Sequence, residues 1–244
     1  MSTNTQELTV LGQAALGSGA LAHGAGRLRG CLLSGGGSRR MGADKALLRH
    51  PEGDTWLERT LGLLLSLQQP VSLLSQHEAH HSLATALIAR REAAGHGTPP
   101  LSLIREPPPR EGPLLALARL MAHHREERLL LCPVDMPSLT AACLEALIAA
   151  AQHTPATSGD GGSPTRIHLA HDGQRPQPLL AIIPATAVRQ QALARTLASG
   201  ERSLMRWLAS EDWRPVSLPA EALRNSNRPD DLPPGVWLPE GIGP

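Results

Sequence analysis

The sequence predicts an α/β domain on a mostly parallel sheet, with helices covering both faces. Three observations predict it. From Leu28 onward, short apolar runs alternate with segments of helical spacing, the pattern that builds parallel sheets through helical crossovers. The runs LRGCLL and RLLLC read as buried strands, as expected of strands covered on both sides. The length of 244 residues suits one good-sized α/β domain or two very small ones, and a domain of that size buries about three quarters of its unfolded surface without staples.

Each element follows in order. Leu28 to Leu33 is the first strand, and a glycine-rich loop comes after it. Thr55 to Leu67 has helical spacing, with Thr55 as N-cap. Val71 to Leu74 is a strand, His77 to Ala93 a helix, and Leu101 to Ile104 the third strand. Pro107, Pro108 and Pro109 force a rigid loop. Gly112 to Glu127 is a helix with Pro113 in its first turn. Arg128 to Cys132 is the fourth strand, and Leu139 to Gln152 a helix. His153 to Pro164 reads as a mobile surface loop. The segments RIHLAHDG and QPLLAIIP are two strands joined by a turn. Helices over Ala187 to Ser199 and Leu204 to Leu208 follow, NSNRPDDL closes the domain, and the tail from Pro233 is irregular. Residues 1–27, rich in Gly and Ala, read as a flexible N-terminal extension, and 28–244 as a single domain.

Composition narrows the function. Lys plus Arg total 23 against 22 for Asp plus Glu, which argues against nucleic-acid binding through a broad basic face. Phe and Tyr are absent and only four Trp are present, so stacking of single-stranded bases is disfavoured too. Cys31, Cys132 and Cys143 form no CxxC pair; they read as core residues in a reducing, cytoplasmic compartment. No apolar run reaches the roughly 18 residues of a membrane span, and the N-terminus lacks the pattern of a signal peptide.

Parallel sheets bind ligands at the carboxyl ends of their strands. Two candidates fall there: the loop after the first strand, and Asp135 after the fourth. The loop fails the dinucleotide pattern, because Arg40 stands where the third glycine belongs. It fails the P-loop pattern as well, because Ala43 and Asp44 follow Gly42. Consecutive glycines still allow backbone N–H groups to close on an anion. Arg39, Arg40 and Lys45 add positive charge to the same loop. The alternative is a plain glycine turn with solvated basic residues. Asp135 has an alternative too, as a cap for the helix after Pro137. The remaining candidate metal ligands lie in HEAHH, a match to HExxH. There His77 and His81 would share a helix face, with Glu78 as base and Glu92 as an imaginable third ligand. Placed at a helix start, ahead of an apolar face beginning at Leu83, the segment reads instead as a solvated polar helix end.

The string LLSGGGSRRMGADKALL resembles the LxGGxSxRMGxDKxLL signature of the molybdenum cofactor guanylyltransferases. The match runs through Leu33, Gly35, Gly36, Ser38, Arg40, Met41, Gly42, Asp44 and Lys45. Further blocks agree in order: Gly112-Pro113-Leu114; LLLCPVDMPSL with Asp135; His171-Asp172-Gly173; Gly200 and Arg202; and NSNRPDDL with Asn225, Asn227, Pro229, Asp231 and Leu232. The resemblance covers about Leu28 to Leu232. It implies a three-layer α/β/α, Rossmann-like nucleotidyltransferase fold and transfer of GMP from GTP to molybdopterin. It implies that Leu33, Ser34, Gly35, Gly36, Gly37, Ser38, Lys45, Gly112 and Asp135 bind the nucleotide. Lys45, Arg40 and Asp135 would be catalytic, Asp135 and Asn227 would hold Mg²⁺, and His171, Asp172, Arg202 and Asn225 would face the pterin. Proteins of molybdenum cofactor synthesis and acceptor molybdoenzymes are the implied transient partners.

The chain departs from the family pattern at several places. Ala116 stands where a second glycine is common, and Ser34 where many members have Ala. An acidic residue often precedes the Gly-Pro-Leu block in the family, and Glu106 is the candidate for it here. The segment LLSQHE replaces an Asn-rich one, so no guanine contact carries over to it. Asn227 has a second reading as a turn former, and the His-Asp-Gly block as a two-residue hairpin connection. Two other functions stay open at this point: a sister transferase using CTP, and a nucleotide-binding regulator without catalysis.

Overall fold

A computed structural model of the chain describes residues 26–35, 42–108, 111–152, 165–232 and 236. The expected N-terminal extension and the expected loop at 153–164 therefore lie largely or wholly outside the described residues. Seven strands form one sheet: β1 (Leu28–Leu33), β2 (Val71–Ser75), β3 (Leu101–Arg105), β4 (Arg128–Pro133), β5 (Ile167–His171), β6 (Pro176–Pro184) and β7 (Trp213–Ser217). Their order is β3-β2-β1-β4-β6-β5-β7. Only β6 runs against its neighbours.

The helices are α1 (Trp56–Ser66), α2 (Glu78–Ala93), α3 (Pro113–His123), α4 (Ala141–Gln152), α5 (Ala187–Ala198) and α6 (Leu204–Leu208). On one face, Leu57 and Leu61 of α1, Ala84 of α2 and Leu144 and Leu147 of α4 pack on Leu32, Leu73 and Leu130. On the other, Leu117 of α3, Leu193 of α5 and Trp207 of α6 pack on Cys31, Leu129 and Leu131. Each fully buried leucine contributes about 1.5–3 kcal/mol, so the two layers fix the sheet between them. Thr55 caps α1 through a capping box with Glu58, the Thr55 hydroxyl accepting from the Glu58 N–H at 3.2 Å.

The three thiols are free and buried. Burial pushes the Cys31 and Cys132 thiols far above their ordinary range, so neither serves as a nucleophile. Three differences from the sequence reading have physical causes. Strand β7 is additional; it is an edge strand, where Pro215 costs no ladder hydrogen bond to a neighbour. Helix α3 ends at His123, ahead of Glu126, which takes φ +57°. The β5–β6 connection runs from Asp172 to Arg175 rather than over two residues, with His171 paired to Pro176.

The topology positions the site. Strands β2 and β3 lie on one side of β1 and β4 lies on the other, so a crevice opens at the carboxyl ends of β1 and β4. The register pairs Leu33 with Pro133, which sets the glycine loop beside the turn carrying Asp135.

Candidate functional site

The glycine loop leaves β1 at Leu33. Ser34 is buried, and Gln76 donates through Nε2 to the Gly35 carbonyl at 3.0 Å. A side chain at Gly35 would collide with Oε2 of Glu106, so any larger residue there would have to displace the Glu106 carboxylate. Glu106 follows β3, is itself buried, and pairs with Arg119 at 2.9 Å. Gly36, Gly37, Ser38 and Arg40 lie outside the described residues.

The chain resumes at Gly42, with φ +70°, and enters a short 3-10 turn, Lys45–Leu47. Asp44 caps it, Oδ1 accepting from the Ala46 N–H at 3.0 Å. Lys45 then reaches across the crevice. Its Nζ lies 3.2 Å from Asp135 Oδ2 and 2.7 Å from Asn227 Oδ1. The Lys45 and Asp135 side chains are 13% and 24% exposed, dry enough to strengthen the pairing and open enough to admit a ligand. Asp135 does not cap α4, which begins at Ala141 and has Thr140 Oγ1 accepting from its Cys143 N–H.

Three consecutive residues join this centre to the His-Asp-Gly turn. Asn227 meets Lys45. Ser226 donates its backbone N–H to the Asp135 carbonyl at 3.0 Å. Asn225 donates to Oε1 of Gln177 at 3.1 Å, and Gln177 donates to Asp172 Oδ2 at 2.9 Å. Asp172 also accepts from the N–H groups of Arg175 and Gln174, both at 2.8 Å. These bonds hold its carboxyl below the usual carboxylate range. Asp231 fixes the other side of the bridge, accepting from the N–H groups of Asn227 and Arg228 at 2.9 Å each. His171 lies at the end of β5 on the same edge, where its Nδ1 accepts from the Gly173 N–H at 3.0 Å.

Gly112 and Arg202 complete the rim. Gly112 is the N-cap of α3 with φ +91°, a conformation that strains any other residue. Its neighbour Glu111 pairs with Arg202. The structure thus brings Lys45, Asp135 and Asn227 into direct contact. It strings Asp172 and Asn225 onto the same network through Gln177, and sets Arg202 apart, against Glu111.

The donor set fits a hard divalent cation. Asp135 and Asn227 offer one carboxylate and one amide oxygen to a common point that the Lys45 ammonium now occupies. Mg²⁺ takes one or two protein oxygens and fills its shell with phosphate and water. Among the described residues, no group of three or more His, Cys, Asp or Glu side chains is gathered for a metal. The HEAHH helix end is solvated only in part: Glu78 and Ala79 are exposed, but His80 is not. His77 is the N-cap, outside α2, and His80 is 1% exposed, in contact with Ser34 and Asp44.

One site feature escaped the sequence reading although the sequence carries it. Lys45 is the only lysine in the chain, every other Lys/Arg position being arginine. A position that holds lysine in such a background calls for a compact ammonium rather than a planar fork. Gln177 gave no local signal, since it acts through contacts with Asn225 and Asp172.

Comparison with known proteins completes the description. The model of the MobA-like NTP transferase domain matches residues 30–213. A probable molybdenum cofactor guanylyltransferase of Rhodopirellula baltica is 33% identical over 213 residues, covering 85% of this chain and 90% of the relative. One from Mycolicibacterium paratuberculosis is 31% identical over 208 residues, covering 84% and 93%. Among solved structures, molybdopterin-guanine dinucleotide biosynthesis protein A of Archaeoglobus fulgidus superposes with a TM-score of 0.57 at 18% identity, over 83% of this chain and 94% of that one. That last likeness speaks for the fold alone.

Proposed function

The chain belongs to the MobA-like NTP transferase family, and from that membership we propose that it transfers GMP from GTP to molybdopterin, releasing pyrophosphate. The observation that carries this reading is the contact of Lys45 Nζ with Asp135 and Asn227, at the strand edge where the glycine loop emerges.

The terminal phosphate of molybdopterin attacks the α-phosphorus of GTP. A new P–O bond joins the two phosphates, the bond from the α-phosphorus to the oxygen bridging to the β-phosphate breaks, and pyrophosphate leaves with that electron pair. The nucleophile comes from the substrate, so positioning and charge stabilisation do the catalysis. Lys45 offsets charge growing on the leaving oxygens, and Arg40 adds to it. The backbone of Leu33 to Gly37 and Ser38, with Gly112 across the crevice, surrounds the nucleotide. Asp135 and Asn227 would hold Mg²⁺, which when bound would offset part of the triphosphate charge. His171, Asp172, Asn225 and Arg202 face the pterin. The bridge Asn225 to Asn227 ties both halves of the reaction to one rigid segment.

No described helix is long and apolar enough to cross a membrane, and the free buried thiols suit a reducing, cytoplasmic setting. Delivery and removal of the pterin imply transient contacts with proteins of cofactor synthesis and with acceptor molybdoenzymes. The test is pyrophosphate release by the purified chain from GTP and Mg²⁺ with and without molybdopterin. Release that depends on molybdopterin supports the transferase. Tight GTP binding with no release points to a regulator instead.

A further inference from the structure

The structure assigns a positioning role to His80: through Asp44 it fixes the turn that presents Lys45. The inference rests on the transferase reading of Lys45 but concerns a residue outside the matched motifs.

His80 lies in the first turns of α2, and its ring joins three separate pieces of chain. Its Nδ1 is 2.7 Å from Ser75 Oγ at the end of β2. The same nitrogen is 3.0 Å from both Oγ and the carbonyl oxygen of Ser34, just past β1. Its Nε2 is 2.9 Å from Asp44 Oδ2. Asp44 therefore spends one oxygen on His80 and the other on the Ala46 N–H that starts the Lys45 turn. With both oxygens bound, the Asp44 rotamer and the turn after it have one arrangement. Lys45 Nζ extends from that turn to Asp135 and Asn227.

The hydrogen-bond assignment is constrained. Burial alone would raise the Asp44 carboxyl, but the hydrogen bond and charge of His80 and the Ala46 N–H outweigh it and hold it below its ordinary range. Asp44 is thus an acceptor only, and Nε2 must carry hydrogen. Nδ1 is satisfied in either ring state. It accepts from a serine hydroxyl when unprotonated, and donates to Ser75 Oγ or the Ser34 carbonyl when protonated. The Nε2–Asp44 bond survives both. A histidine filling core space would need none of these partners. This one is 1% exposed and spends both nitrogens on the ends of the strands and the loop that frame the crevice.

The test compares the wild type with His80→Leu, His80→Gln, Asp44→Ala and the His80→Leu/Asp44→Ala double variant. The measurements are kcat, KM for each substrate, and folded fraction. His80→Leu should lower kcat about thirtyfold while the KM for molybdopterin stays within about twofold. His80→Gln, whose amide can still donate to Asp44, should recover most of the loss. The double variant should be no worse than the worse single variant, because both remove one linkage. A second arm does not need activity. Lys45 is the only lysine, so reductive ¹³C-methylation gives a single lysine side-chain resonance for NMR. That resonance should move in His80→Leu and return toward wild type in His80→Gln. A wild type that makes no dinucleotide, with a lysine signal that responds as stated, overturns the transferase reading and leaves the positioning role standing. Full kcat in His80→Leu, additive losses in the double variant, or a lysine resonance blind to His80 would overturn the positioning role.

Discussion

The two ends of β2 hold the same pair of groups, a buried serine and a histidine, and use them differently. Toward the amino edge of the sheet, Ser72 Oγ lies 2.9 Å from His124 Nε2 and receives Arg29 at 3.4 Å. Arg29 in turn forks onto Glu127, at 2.5 and 3.1 Å. The contacts of that network close on β1, β2 and the residues just ahead of β4. Toward the carboxyl edge, Ser75 Oγ lies 2.7 Å from His80 Nδ1, and the chain of contacts leads outward through Asp44 to Lys45, Asp135 and Asn227. One network ties strands together; the other runs through the same strands to the turn that carries Lys45 across the crevice. The difference teaches that burial and hydrogen bonding do not identify a site. What identifies it is where the last polar atom of the network ends.

The largest effect expected at the carboxyl edge is that of Lys45→Arg. The charge is kept but the compact ammonium is lost, and the planar fork cannot meet Asp135 and Asn227 in the same geometry. Turnover should fall about 10³-fold, roughly 4 kcal/mol, with the thermal midpoint within about 2 °C. Wild-type turnover in that variant would dissolve the contrast between the two edges. Asp135→Asn comes next. Removing the carboxylate should cost at least about a hundredfold in Mg²⁺-dependent turnover, with the fold intact. Rate against Mg²⁺ concentration checks it, and an unchanged curve removes Asp135 from the metal role.

At the amino edge the ranking reverses. Glu127→Gln leaves Arg29 without its counter-charge and should cost about 2 kcal/mol of stability, read from urea unfolding. Turnover per folded molecule should not change; if it falls in proportion to Lys45→Arg, the edges are not separate. The smallest effect is a pH dependence. Burial, with Arg29 adding to it, pushes His124 down to about 4. Between there and its ordinary value near 6.5 the unfolded chain binds a proton that the folded one does not, so stability rises with pH across that window. The rise should be on the order of 1–2 kcal/mol, and His124→Gln should flatten it. A wild-type curve flat from pH 4 to 6.5 contradicts the half-buried neutral ring.

Much of this was readable in the sequence, for physical reasons. Strands such as RLLLC and VSLL are covered on both faces, so they are continuous apolar runs that no loop imitates. WRPVS escaped because an edge strand is half exposed and tolerates Arg214 and Pro215. The contact between Lys45 and Asn227 joins residues 182 positions apart. No local pattern contains it, and only the ordered string of blocks from the glycine loop to NSNRPDDL linked them. His80 was hidden by its own chemistry. It and Ala84 are the buried residues of α2, one turn apart, a core-facing pair that is missed when histidine is counted as polar. Asp172 was found, yet the length of its turn was not, because Asp-Gly also fits the four-residue loop in which Asp172 caps two N–H groups.

The account stands most directly on which dinucleotide is made. The chain has no Phe or Tyr, and no Trp lies near the glycine loop in sequence, so the account has the base chosen by hydrogen bonds rather than by an aromatic clamp. Two unmet buried groups, at about 1–3 kcal/mol each, give on the order of a hundredfold discrimination. Purified chain would be incubated with Mg²⁺, molybdopterin and equal GTP, CTP and ATP, and the products separated. The account predicts the guanine dinucleotide in about hundredfold excess, and none with Lys45→Arg; a dominant cytosine dinucleotide, or guanine product that survives Lys45→Arg, would contradict it.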